Sequence, residues 1–310
     1  MESVLCNLCG SDRHETHLVR SDLNLFYKGD FRLVRCVACG HVYLNPRPTA
    51  EELPVYYPEN YDQYVEAISQ QPSLLFRWDR QYGLRKRCRA VLRHRQNGRL
   101  LDVGCATGNF LDAMRQNSGW EVQGIELSRF ASEYARAKLG LSVHTGTVED
   151  AVLPTEYFDV ITLWDVLEHL PDPTRALRIL WRWLKPEGLL LLNTPNLDSL
   201  DARVFGRYWI GYELPRHHHV FSERSLGLLL AKTGFRIVSA GCWYGSHAAF
   251  ASSIRFWLRD RSLNARWRPL AEKMLFLLPV RLIALPYFYA MDRLRLSSPL
   301  AVVAMKVDRV

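Results

Sequence analysis

Cysteine is too scarce for a disulfide scaffold. There are seven in 310 residues, four of them in two Cys-x-x-Cys pairs, while Cys88, Cys105 and Cys242 are scattered. That usage fits a reducing compartment. The chain opens without a basic segment leading into an apolar run, so no secretory leader is expected and a cytoplasmic setting is. No apolar run reaches the roughly 18 residues needed to span a bilayer. The nearest candidate, residues 274–290, is broken by Pro279, Arg281 and Pro286. Internal repeats and low-complexity tracts are also missing.

What is present is an ordinary globular composition, 48% hydrophobic and 23% charged, long enough for about two domains. The net charge of +8 is unevenly spread. Residues 77–99 hold nine Arg or Lys against the single acid Asp79, and residues 255–310 hold eleven bases against four acids. The remainder is mildly acidic. A basic helix and a basic tail on an acidic middle fit nucleic-acid binding less well than a continuous basic face would.

Three regions are expected. Residues 1–45 read as a small cysteine-bearing module. Residues 46–98 read as a Pro- and Tyr-rich connector followed by a basic helix, whose bases suit a solvated face. From 99 to 310, strand and helix signals alternate, which argues for a mostly parallel sheet covered by helices. Strands are expected at 99–104, 120–125, 141–145, 158–164, 189–193, 235–244 and 299–307. Gly140 stands where a left-handed helix cap is wanted, and Asp172-Pro173 is an N-cap with Pro at the first helical position. Between the last two strands, residues 245–298 form an apolar, base-edged helical insertion.

The first strand runs into Asp102-Val-Gly-Cys-Ala-Thr-Gly108 and then a helix. Such glycines let a ligand approach the backbone, and the helix start offers N–H donors. The Gly-x-Gly-x-x-Gly dinucleotide pattern is absent, and an acid inside the strand suits a cationic ligand better than a pyrophosphate. Glu126 ends the next strand and can take both hydroxyls of a ribose. Glu149-Asp150 follows the third strand, where an adenine edge would lie.

With these motifs, the segments Gly124-Ile-Glu-Leu-Ser128, Phe158–His169 and Leu184–Leu192 make residues 75–245 resemble the class I S-adenosylmethionine-dependent methyltransferases, in the small-molecule and glycan-pathway branch. The resemblance implies a Rossmann-like, doubly wound seven-stranded α/β sheet. It implies that Asp102 and Gly104 lie near the methionine part of S-adenosylmethionine, on a loop with Cys105, Ala106 and Gly108. Glu126 would hold the ribose beside Leu127, Val148 and Glu149 would flank the adenine, and Trp164 and Asp165 would line the cofactor. Ala106 stands where the family usually has glycine, which narrows the loop.

Past the fifth strand comes Tyr208-Trp-Ile-Gly-Tyr-Glu-Leu-Pro-Arg-His-His-His-Val-Phe-Ser222. By the family's pattern this is the acceptor side, with His217 as the catalytic base and His219 as second choice; His218 reads as a loop hydrogen bonder. An imidazole of ordinary pKa can accept a proton at neutral pH. His169 is as well suited to a structural role as to catalysis.

Cys6-x-x-Cys9-Gly10 and Cys36-x-x-Cys39-Gly40, 26 residues apart, have the knuckle pattern of a tetrahedral, structural zinc site. The expectation is a cytoplasmic S-adenosylmethionine-dependent methyltransferase that O- or C-methylates a small-molecule or glycan-type acceptor, with Zn2+ in the N-terminal zinc ribbon. The 245–298 insertion would serve as a lid, a homodimer contact or a peripheral membrane contact. Nucleic acid is disfavoured as a partner. The alternatives are an RNA methyltransferase clamping RNA with the ribbon and basic helix, and a non-catalytic scaffold that keeps the fold.

Overall fold

The computed structural model describes residues 1–57, 74–117, 119–260, 274–275 and 277–307. Residues 58–73 of the expected connector and 261–273 of the expected insertion lie outside the described residues. Strands β1 (His14–Ser21), β2 (Asp30–Cys36) and β3 (Val42–Leu44) come first, followed by helix α1 (Leu74–Leu92). The alternating section runs β4 (Gly98–Val103), α2 (Asn109–Arg115), β5 (Trp120–Glu126), α3 (Arg129–Leu139), β6 (Ser142–Thr145) and β7 (Phe158–Trp164). It continues with α4 (Pro173–Trp183) and β8 (Leu184–Pro195). The last third holds α5 (Leu200–Phe205), β9 (His219–Val220), α6 (Glu223–Lys232), β10 (Phe235–Gly241), α7 (Ser246–Asp260), α8 (Leu278–Arg293) and β11 (Pro299–Lys306).

The chain divides into two compact units. One contains residues 57–193, 228–244 and 301–310 and is built on a seven-stranded sheet of order β10-β11-β8-β7-β4-β5-β6. The pairs β4–β5, β4–β7, β5–β6 and β7–β8 are parallel, and β10–β11 is antiparallel. Strand order reverses at β4, so the carboxyl end of β4 is the switch point where such sheets take ligands. The expected doubly wound architecture is present. Local signals explain the helix ends: the Asp172 carboxylate accepts from Arg175 N at 2.9 Å, and Gly140 closes α3 with φ 60°. Leu177 and Leu180 of α4 are fully buried, as their spacing dictates.

The other unit gathers residues 1–56, 194–227 and 245–300. This differs from the expected cut at 45 and 98, and the reason is an open strand edge. Antiparallel β1, β2 and β3 leave β3 unpaired on one side, and β9 fills it, with Val42 opposite Val220 and Tyr43 opposite His219. Leu33, Val42 and Leu44 then share one core with Trp209, Tyr212, Leu214 and Val220. The cysteine module and the histidine segment are therefore one folded body.

Candidate functional site

In the seven-stranded unit, the loop after β4 is shaped by close contacts. Gly104 (φ 71°) passes so near Val166 that a Cβ would lie 2.5 Å from its Cγ2, and Gly108 (φ 80°) is held as tightly under Leu141. Gly104 N and Cys105 N both donate to Ile125 O, which pins the loop to β5. Ala106 sits in the left-handed region at φ 47°, where glycine is favoured. Its N–H donates to Glu126 Oε2 at 2.8 Å, while Ser128 N–H donates to Glu126 Oε1 at 2.7 Å. Glu126 is thus a buried, oriented carboxylate at the end of β5. Burial raises its pKa against these amides. Each oxygen keeps a second lone-pair site for a ligand hydroxyl.

Asp102 is buried at the end of β4 and accepts from Thr162 Oγ1 at 2.6 Å. Burial pushes its carboxyl up to about 7, against the Thr162 hydrogen bond and the Arg87 charge, with Glu126 adding to the rise. The native carboxyl therefore holds a proton that the unfolded chain releases near its ordinary pKa. Stability contributed below that ordinary value is lost as pH rises through about 7. Asp102→Asn should raise the melting temperature of the cofactor-free protein at about pH 8 and flatten its fall between about pH 5 and pH 8. Thermal unfolding across that range checks this, and an unchanged slope would place the titration elsewhere.

Trp164, at the end of β7, is buried edge-on to Phe110, Trp243 and Tyr244 at 5.3–5.9 Å. Asp165 follows at φ 59°. Its Oδ1 accepts from Asn193 Nδ2 at 2.5 Å and its Oδ2 from Tyr244 OH at 2.9 Å. The Arg87 guanidinium stands 4.0 Å from Asp165 Oδ2 and 4.4 Å from the centre of the Tyr244 ring. Val148 is buried, whereas Leu127 and Glu149 are exposed.

Cys105 is buried, and its thiol fills the space over Gly124, where a Cβ would meet Sγ at 2.5 Å. One expectation needs correction here. The basic helix is not uniformly solvated, because Arg87 is drawn inward to Asp165, Tyr244 and Trp164. Sequence reasoning missed Arg87, Asn193 and Tyr244. Arg87 had a signal, since it lies in helical phase with the apolar Leu84 and Val91.

In the other unit, the four expected zinc ligands converge, with their Sγ atoms all within 4.8 Å of one another. Cys6 Sγ is 3.5 Å from Cys39 Sγ and Cys9 Sγ is 3.5 Å from Cys36 Sγ. Tetrahedral Zn–S bonds of about 2.3 Å put sulfurs about 3.8 Å apart, so the cluster has the right size. Gly10 and Gly40, at φ 78° and 77°, form the two knuckles, donating to Cys6 O and Cys36 O.

The histidines of this unit separate by environment. His217 is buried, and its Nδ1–H donates to Gly211 O at 2.9 Å, which leaves the lone pair of the neutral ring on Nε2. Burial lowers its pKa, partly opposed by Glu213, whose Oε2 is 3.9 Å from Nε2. The segment is anchored by Arg216, fully buried between Asp22 (2.9 Å) and Glu213 (2.7 Å). His219 instead packs in β9 in a three-ring cluster with His41 and Phe221, all ring centres within 5.9 Å, with its Nδ1 3.0 Å from His41 Nε2. Burial lowers His41 to about 4, keeping the pair free of that charge. The expectation that His219 serves as a base gives way to a structural role, because its ring is committed to the sheet.

The mostly parallel sheet, its switch point and the glycine loop between two buried acids define a Rossmann-like domain. The chain belongs to the methyltransferase domain family, an S-adenosylmethionine-dependent class; the family model matches residues 76–240, a little over half of the chain. Similar proteins include the ubiquinone biosynthesis O-methyltransferase of Haemophilus ducreyi, 36% identical over 137 residues, covering 40% of this chain and 58% of that protein. That of Xanthomonas oryzae pv. oryzae is 35% identical over 133 residues, covering 40% and 55%. The chain thus spans under two thirds of the length of the curated relatives it matches. Among solved structures, the (4+2)-cyclase SpnF superposes with a TM-score of 0.54 at 18% identity, covering 85% of this chain and 98% of that one. At that identity the likeness shows the fold alone.

Proposed function

We propose that the protein transfers the methyl group of S-adenosylmethionine to a small-molecule or glycan-pathway acceptor. The observation that carries this reading is the pair of buried carboxylates, Asp102 and Glu126, on either side of a tight glycine loop at the sheet's switch point. Such an acid-rich cradle fits a cationic nucleoside better than a pyrophosphate. In this reading Glu126 takes the ribose hydroxyls, and Asp102 gives up its proton to balance the positive methionine end when the cofactor binds. Arg87, gathered to the Asp165–Tyr244 cluster, meets the methionine carboxylate. Val148 and Glu149 flank the adenine, Leu127 stands beside the ribose, and Trp164 and Asp165 line the cofactor. The bound cofactor supplies an electrophilic methyl group on a sulfonium centre.

The chain's own contribution to chemistry is positioning and proton removal. A hydroxyl or acidic carbon must lose a proton as it attacks, and His217 Nε2 is the acceptor this reading assigns. The Gly211 carbonyl fixes the tautomer that can accept. The relatives' name, O-methyltransferase, favours oxygen as the methylated atom. A sugar nucleotide or lipid-linked glycan precursor is the acceptor class proposed. The four cysteines hold a structural zinc, since four sulfur ligands leave no open position for substrate.

His217→Ala should lower turnover by about 10²–10⁴-fold and leave S-adenosylmethionine affinity intact. Calorimetric titration and initial rates with the same preparation check both halves. Full activity in the variant would move the base elsewhere, and failure of the wild-type chain to bind S-adenosylmethionine would sink the whole reading in favour of a scaffold.

One observation favours RNA as a second reading. On α1, Trp78 and Tyr82 are exposed and stacked in parallel at 5.5 Å, with Lys86 Nζ 4.8 Å from the Tyr82 ring. An aromatic–cation ladder of this kind can stack bases. Its signature would be binding that falls steeply with salt.

A further inference from the structure

Helix α8 carries its apolar residues on the wrong side for a buried helix. Its inner face is satisfied: Phe288 is buried against Phe250 and His247 of α7, and Tyr287 donates to Asp201 Oδ1 at 2.9 Å. The outer face carries Leu282, Ile283, Leu285 and Tyr289, more than half exposed, with Ile283 81% exposed. Helical spacing puts Leu282, Leu285 and Tyr289 on one stripe, with Pro286 between them and Ile283 on the rim. Exposed Leu277 and Leu294 stand just beyond the two ends of the helix. An exposed apolar stripe of this kind marks a contact surface.

We propose that the outer face of α8 lies on an anionic lipid bilayer, with the helix axis in the membrane plane. Charge chooses this occupant. Arg281 stands near one end of the helix and Arg293 near the other, while Arg295, just beyond it, is paired with Glu223 at 3.2 Å. Arg293 leans over the Tyr289 ring at 5.1 Å, which sets a cation beside the apolar stripe at headgroup depth. The helix's one acid, Asp292, is turned inward to Ser246 and Ser297. A second copy docking isologously on the same face would bring these arginines together, which disfavours a homodimer. Among the described residues no helix is long and apolar enough to cross a membrane, so α8 lies on the surface rather than through it. The inference is independent of the acceptor's identity.

The test is co-sedimentation of the full chain with phosphatidylcholine vesicles, with and without phosphatidylglycerol. The chain should partition at least about tenfold better onto anionic vesicles, and the gain should shrink as salt is raised. Ile283→Glu and Leu285→Glu should each lower partition about tenfold, whereas Val152→Glu, at a lone exposed valine of the other unit, should not change it. Leu282→Gln gives a milder probe of the same stripe should a glutamate variant fold poorly, and thermal melting reports that. Absence of vesicle binding, or equal binding by all these variants, overturns the proposal. So does a solution dimer that the same substitutions dissociate, because a second copy would then own the face.

Discussion

Glu126→Ala is expected to weaken S-adenosylmethionine binding by about 100-fold while the protein stays folded. Two hydrogen bonds donated by ribose hydroxyls to the carboxylate, at about 1.5 kcal/mol each, amount to roughly 3 kcal/mol, or about 100-fold. The substitution also frees the Ala106 and Ser128 amides, which now meet at this carboxylate. The glycine loop would lose its tie to β5 side-chain chemistry but keep its backbone bonds to Ile125 O. Glu126→Gln retains one acceptor and most of the shape, so it should lie between wild type and alanine. Titration calorimetry separates the three. An affinity unchanged in Glu126→Ala would remove this residue from the ribose role and weaken the assignment of the whole loop.

Removal of the proposed zinc should have the largest effect on stability. A structural tetrathiolate site contributes on the order of 10 kcal/mol, which is comparable to the whole net stability of a domain. Elemental analysis should find one zinc per chain. Chelation, or Cys36→Ser, should abolish the cooperative unfolding of the unit that contains it. Because β3 pairs with β9, the damage should spread from the cysteines to the strand carrying His219 and the segment carrying His217. Methyl transfer should therefore be lost more completely than cofactor binding, whose residues belong to the other unit. A metal-free chain that melts as before would turn the four cysteines into a redox pair of dithiols.

The seven-stranded sheet was legible because its signals are local. Short apolar runs, Gly140 and Asp172-Pro173 dictate element ends through backbone geometry that any window of a few residues reveals. The four-cysteine cluster was legible for the same reason, as spacing alone limits how two knuckles can close. The pairing of β3 with β9 was not, because a two-residue strand carries no periodicity and gains its place only from an open edge more than 170 residues away in sequence. His219 could not be told from His217 in a run of three histidines; only the stack with His41 and Phe221 separates them. Arg87 was hidden by its neighbours, since nine bases in one stretch read as a solvated face, although its phase with Leu84 and Val91 pointed inward. Asp165, Asn193 and Tyr244 come from three separate segments, and no single stretch of sequence shows that they share hydrogen bonds.

The measurement that bears most directly on the account is incubation of the protein with methyl-labelled S-adenosylmethionine and extract of its source cells, followed by nuclease digestion. The account predicts label that survives nuclease, with the lipid-linked version of the acceptor adding partition into organic solvent. Label released by nuclease would contradict it and assign the exposed Trp78–Tyr82–Lys86 ladder and the cysteine module to RNA.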